Sequence, residues 1–225
     1  LPWFPAVLTF VASSIAYVFN PALATNRWFV FGTIIVTLWF ATWINFKGMK
    51  LSSFLSSSGA LLGTVIPGIL IILMVVGYLV AGKPAQISFS WGSLVPDLGN
   101  LNQLMLLSGM MVALSGMEMS AVHVTEMANP GRQFPKAIFS ACFLVILLSV
   151  FGALAIALVI PPNDISLAAG ADQAFAKIFE LFHISWMTPI MCFLLAYGAL
   201  TMVITWVLGP SKGVLEVAKE GYLPQ

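Results

Sequence analysis

The chain has 225 residues, of which 60% are hydrophobic and 8% charged, with a mean hydropathy of +1.01 and a formal net charge of +1. So little charge cannot cover the surface of a soluble domain of this size, so the class is polytopic membrane protein and a freely soluble enzyme is excluded. The near-neutral balance argues by itself neither for nor against an acidic partner; for a chain embedded in a lipid bilayer, no nucleic-acid partner is expected.

The first residue is Leu and the chain stops just after a basic amphipathic tail, so it reads as an internal piece of a longer protein. Six membrane spans are predicted, over 1–19, 28–46, 60–81, 101–126, 136–160 and 187–209, each near the ~20 residues needed to cross a bilayer. Together they make 1–225 a single transmembrane region of an all-α membrane protein. The Ser-rich stretch 51–59 reads as interfacial or as an early extension of the third span.

In the first span Thr9, Ser13 and Tyr17 recur four apart, and in the sixth Tyr197, Thr201 and Thr205 do the same. One such stripe alone reads as helix packing. Two of them, with a carboxylate at mid-span elsewhere, point to a shared aqueous cavity. Lys47, Lys50, Arg132, Lys136, Lys212 and Lys219 follow the even-numbered spans, against Arg27, Lys83 and Lys177 on the other side, which predicts that the first set is cytoplasmic.

The fourth span carries the chemistry. It is interrupted by Ser115-Gly116-Met117-Glu118. A carboxylate at the centre of a lipid-facing helix costs roughly 2.5–3.5 kcal/mol, so Glu118 is expected to face protein or water. Glycine beside it loosens the helix, which suggests a broken segment lining a polar cavity. The alternative for Glu118 is a protonated carboxyl with a structural role only.

His123 and Glu126 stand three apart, a spacing that could hold a metal, but one pair without a third ligand is weak and no metal or cofactor is expected; pH sensing by His123 is a further reading. Asn129-Pro130-Gly131 reads as the end of span four and Pro135 as the first turn of span five. Glu126, Arg132 and Lys136 bracket this turn; they read either as ordinary anchoring or as a gating latch of ion pairs.

The connection 161–186 holds one amphipathic helix, predicted at 171–183 on the outer surface. Phe175, Ile178, Phe179 and Phe182 fall on one face, with Asp172, Lys177 and Glu180 on others. Trp3, Trp28, Trp91 and Trp186 suit an interfacial belt, whereas Trp39, Trp43 and Trp206 lie deeper and read as packing residues, with a substrate platform also open for Trp206. Cys142 and Cys192 each fall inside a span, where they read as small apolar residues.

The run Gly116-Met117-Glu118, followed by Glu126-Met127-Ala128-Asn129-Pro130-Gly131-Arg132-Gln133-Phe134-Pro135-Lys136-Ala137, resembles the sixth helix and following loop of the amino acid–polyamine–organocation transporters. Gly209-Pro210-Ser211-Lys212-Gly213 is similar to the end of their eighth helix. Within that superfamily the chain most resembles the bacterial glutamate/γ-aminobutyrate antiporters.

The resemblance implies a LeuT-like bundle of five-plus-five inverted repeats, of which the third to eighth transmembrane helices are present here. It implies an amino-acid transporter of the inner membrane working by alternating access, with no catalytic residues. Ser115, Gly116, Glu118 and Ser120 would form the substrate-binding turn, and Ser13, Tyr17, Tyr197, Thr201 and Thr205 would flank it. Met202 stands where the antiporter branch has an acidic residue, and Leu114 and Ser115 stand where it has an aromatic. The branch's substrate pair is therefore not carried over.

Other readings are a proton-coupled symporter, a cationic amino-acid or polyamine exchanger, an intramembrane enzyme using His123 and Glu126, and a non-transporting scaffold. The sequence gives no oligomeric state.

Overall fold

In hydrocarbon a backbone must satisfy its own hydrogen bonds, and helix is the only regular spanning structure among the described residues. The computed structural model describes residues 3–87, 95, 97–114, 116, 120–121, 124 and 127–222, the side chains of 49, 112–114, 212 and 216 aside. Among the described residues four helical stretches are long and apolar enough to cross a membrane: Arg27–Phe46, Lys50–Val80, Pro130–Val159 and Ser185–Lys219. Trp3–Phe19 is a shorter apolar helix.

The chain falls into two compact units, Leu1–Gln86 with Val150–Leu208, and Ile87–Ser149 with Gly209–Gln225. In the first unit, α1 (Trp3–Phe19) leads into a 3-10 turn at Pro21–Thr25. Asn26 then caps α2 (Arg27–Phe46), its side-chain oxygen accepting from the Trp28 and Phe29 amides at 3.0 and 3.3 Å. Helix α3 (Met49–Ala60) continues through a π turn at Leu61–Val65 into α4 (Ile66–Val80). The Ser-rich stretch is therefore helical and forms the first turns of a 31-residue rod.

Leu8 of α1, Ala41 and Ile44 of α2, and Val203 and Ile204 of the last helix, α8 (Thr188–Lys219), form the core of this unit. Trp3 and Trp206 stack beside it with ring centroids 4.7 Å apart. Trp28, Phe31, Trp39 and Phe46 leave one flank of α2 exposed and apolar, a surface suited to acyl chains.

In the second unit, α5 (Leu101–Leu114) is the first half of the predicted fourth span, and it ends where the break was expected. The next helix, α6 (Pro130–Val159), starts five residues before Pro135. Pro130 thus opens a helix instead of closing one, because proline at the first helical position loses no hydrogen bond. The Asn129 carbonyl accepts from the Arg132 and Gln133 amides at 3.2 and 2.9 Å, which fixes that start.

Pro135 lies inside the helix, as does Pro210 in α8, which runs ten residues past the predicted end at 209. Membrane helices tolerate such prolines because side chains and neighbouring groups re-satisfy the freed carbonyls.

Between α6 and α8 lies α7 (Gly170–Leu181). It buries Phe175, Ile178 and Phe179, whereas Phe182, predicted on the same face, caps the helix end and is exposed. Asp172 corrects the sequence reading: it is fully buried, on the face of Phe175 and Phe179, because positions 172, 175 and 179 follow the i, i+3, i+7 spacing of one helical stripe.

Candidate functional site

The expected break in the fourth span begins with α5 ending at Leu114, after which Gly116 takes φ +101°. An L side chain rarely adopts that conformation, so glycine is needed at this position for the chain to leave the helix there. Ser120 and Ala121 are in 3-10 conformation. Ser115, Glu118, His123 and Glu126 lie outside the described residues. Arg132 and Lys136 are exposed in the first turns of α6.

The α1 stripe lines a cavity of about 500 Å³. Thr9, Ser13 and Tyr17 form one wall, Arg27 of α2 another, and Gln173 of α7 a third. The Thr9 hydroxyl is turned back to its own helix, donating to the Pro5 carbonyl at 2.7 Å. Gln173 is held in place by the loop before it: its oxygen accepts from the Ser166 amide at 2.9 Å, and its amide group donates to the Asp164 carbonyl at 3.3 Å. The cavity thus offers a hydroxyl from Ser13, a phenol, a fixed amide and a guanidinium, a set that can hydrogen-bond a small zwitterion.

The α8 stripe faces a different neighbour. Ser58 and Tyr197 are joined at 2.7 Å and Ser56 and Thr205 at 2.6 Å. Ser58 also donates to the Leu55 carbonyl, so Tyr197 is the donor in the first pair. Thr205 donates to the Thr201 carbonyl at 3.0 Å, so Ser56 is the donor in the second. Thr201 is buried and donates to the Gly198 carbonyl at 2.8 Å. One turn further along, Asn45 of α2 donates to the Ile204 carbonyl at 3.0 Å while accepting from Ser52 at 3.1 Å.

The result is a ladder of hydroxyls between α3 and α8. Sequence reasoning found its α8 side and missed its α3 side, although Ser52, Ser56 and Gly59 fall on one face of small residues. Among the described residues, α1 presents its stripe to α2 and α7, and α8 presents its own to α3.

Glycines set the depth of the α3–α8 contact. A methyl group at Gly59 would collide with the Thr201 side chain, and one at Gly63 with the backbone of Gly198. Small residues allow helix backbones to approach closely in a membrane, where apolar side chains gain nothing by leaving lipid.

Asp172, which the sequence reading placed off the apolar face of its helix, has a buried environment of its own. Its Oδ2 accepts from Ser14 of α1 at 3.0 Å, while Oδ1 has no hydrogen-bond partner of ordinary geometry. The Cys192 thiol of α8, a weak donor, is the other polar group beside the carboxyl. Burial pushes this carboxyl up to about 7, against the opposing pull of the Ser14 hydroxyl. Among the described residues no group of three or more His, Cys, Asp or Glu side chains gathers as a metal site would require.

Comparison with known proteins agrees with the membrane architecture. A family model described as amino acid permease matches residues 1–225. An uncharacterized transporter of Legionella pneumophila is 38% identical over 224 residues, 99% of this chain and 48% of that protein. A glutamate/gamma-aminobutyrate antiporter of Lactococcus lactis subsp. lactis is 31% identical over 225 residues, 99% of this chain and 45% of that protein. An aspartate/glutamate permease of Lactococcus lactis subsp. cremoris is 23% identical over 198 residues, 81% of this chain and 38% of that protein. The chain spans about half the length of the first two of these relatives. Matched by the family model along its whole length, and helical throughout its described apolar segments, the chain belongs to the amino acid permease family.

Proposed function

We propose that this chain forms part of the substrate path of an amino-acid transporter of the inner membrane that works by alternating access, exchanging amino acids in the manner of a glutamate/γ-aminobutyrate antiporter. The observation that carries the reading is the end of α5 at Leu114 followed by Gly116 at φ +101°, in a segment that begins as apolar helix. A helix broken at membrane depth is stable only where it lines protein or a water-filled cavity. Its freed amides and carbonyls then become ligands for the charged ends of a zwitterion.

In this reading Ser115, Gly116, Glu118 and Ser120 hold the substrate, with Glu118 sensing its charge or a proton. Ser13 and Tyr17 contribute from the α1 cavity. Tyr197, Thr201 and Thr205 would reach a substrate only when the α3–α8 ladder opens, so their contact belongs to another stage of the cycle. Glu126, Arg132 and Lys136 gate the cytoplasmic side. The exchange type is supported by the names of two relatives, at 31% and 30% identity.

Counterflow in vesicles containing the full-length protein tests the proposal. A labelled amino acid, with glutamate tried first, is expected to enter faster when an amino acid or its decarboxylation product is loaded inside, and Glu118→Gln is expected to abolish that uptake or shift its pH profile while insertion persists. Uptake that needs a proton gradient and ignores the internal solute would make the protein a symporter. No uptake of any amino acid would remove the transport reading altogether.

A further inference from the structure

Asp172 has no part in the substrate path described above, yet among the described residues it is the acidic side chain that is buried completely. Its surroundings are uncharged. From α1 it is faced by Ser14 and Tyr17, and from α8 by Cys192. Helix α4 also packs on α7, but its single titratable side chain, Tyr78, donates to the Pro84 carbonyl at 2.9 Å. The 3-10 turn Ser185–Met187 that touches α7 contains no titratable residue. On α7 itself, Lys177 and Glu180 lie off this face, Glu180 in solvent.

No cation contributes to the electrostatics of the carboxyl: Ser14 donates to Oδ2, and Oδ1 has no hydrogen-bond partner of ordinary geometry, with only the weak donor Cys192 beside the group. A buried carboxylate in that state is costly, and the least disruptive remedy is a proton.

We propose that Asp172 is a proton-binding site that fastens α7 to α1 and α8: the protonated carboxyl holds the helix docked, and ionisation loosens it. Helix α7 is not one of the membrane-crossing helices, and hinges are available at both of its ends. Before it lies the loop of Pro161 to Ala169, and after it His183 at φ +57°, a left-handed residue that ends the helix.

The sign follows from linkage. Released into water, the carboxyl loses its proton near pH 4. Docked, it keeps the proton to about 7 because burial disfavours the charge. The docked form therefore binds more protons across that interval, so docking is strongest at low pH and weakens as pH rises through it. This inference concerns the seating of one helix and stands whether or not the protein exchanges amino acids.

Hydrogen exchange of 170–181, measured by mass spectrometry on the full-length protein in lipid nanodiscs, tests it. After correction for the intrinsic pH dependence of exchange, protection of α7 is expected to fall about tenfold or more between pH 5 and pH 8. Protection in the Asp172→Asn variant is expected to stay level with pH. Ser14→Ala keeps the carboxyl but removes the donor that favours its ionised form, so it is expected to deepen the loss at pH 8; this arm holds even if Asp172→Asn does not fold. Protection that is flat in the unaltered protein, or a pH response that survives in Asp172→Asn, would overturn the proposal.

Discussion

Single residues decide how closely the helices of the first unit approach. Gly63 meets the backbone of Gly198, and there is no flexible side chain at the contact to move aside. Overpacking of this kind typically costs about 1–3 kcal/mol. Gly63→Ala is therefore expected to lower the thermal midpoint of the detergent-solubilised protein, whereas Gly32→Ala, whose added methyl meets nothing within 4 Å, is expected to leave it unchanged. Equal midpoints for the two would mean that the π turn and α8 are not in contact there.

Asp172 illustrates what residue-level reading overlooks. Its spacing from Phe175 and Phe179 was visible along the chain, but an acidic residue on an amphipathic helix is ordinarily solvated, and that expectation outweighed the periodicity. The donor that makes burial tolerable, Ser14, lies 158 positions away and has no local signature.

At the scale of helices, the α3–α8 ladder is the feature the sequence half revealed. Tyr197, Thr201 and Thr205 stood out because polar residues repeating along an apolar helix are conspicuous. Ser52, Ser56 and Ser58 did not, because a Ser-rich stretch after Lys47 and Lys50 looks like a headgroup-level connection. What joined the two was tertiary pairing, which neither segment's composition encodes.

Interhelical hydrogen bonds of this sort average about 0.6 kcal/mol in a membrane. Ser56→Ala and Tyr197→Phe are each expected to cost about that much, and their effects should add, since they break separate rungs. A double-mutant cycle in detergent checks this, and a strong coupling energy would show that the ladder opens as one cooperative piece. Helix ends were less legible than helix faces: Pro130, Pro135 and Pro210 each suggested a boundary, yet only Pro130 marks one, as a start. A proline ends a helix only when no neighbour supports the bond it removes.

For the molecule as a whole, composition was enough to establish the membrane class, and the motif around Gly116 to Ala137 was enough to indicate the family. The distribution of Lys and Arg adds a prediction at this scale. An impermeant amine reagent applied to intact cells is expected to label Lys83 and to spare Lys47 and Lys136. The reverse pattern would invert the topology and place the α7 helix on the cytoplasmic side. The two polar stripes, on α1 and α8, stood out in the sequence, but which neighbour each one faces did not, because facing depends on helix rotation and a stripe alone does not specify it.

The π turn at Leu61–Val65 carries one further implication. The Ile66 amide reaches back five residues to the Leu61 carbonyl instead of four, so the chain makes room for a surplus residue within a single coil. Gly59 ahead of it and Ile71, Val75 and Tyr78 behind it all remain turned inward. Relatives that differ from this chain by one missing position in that short window can therefore share its arrangement on both sides, and an alignment gap falling there would signal a straightened rod, not a different fold.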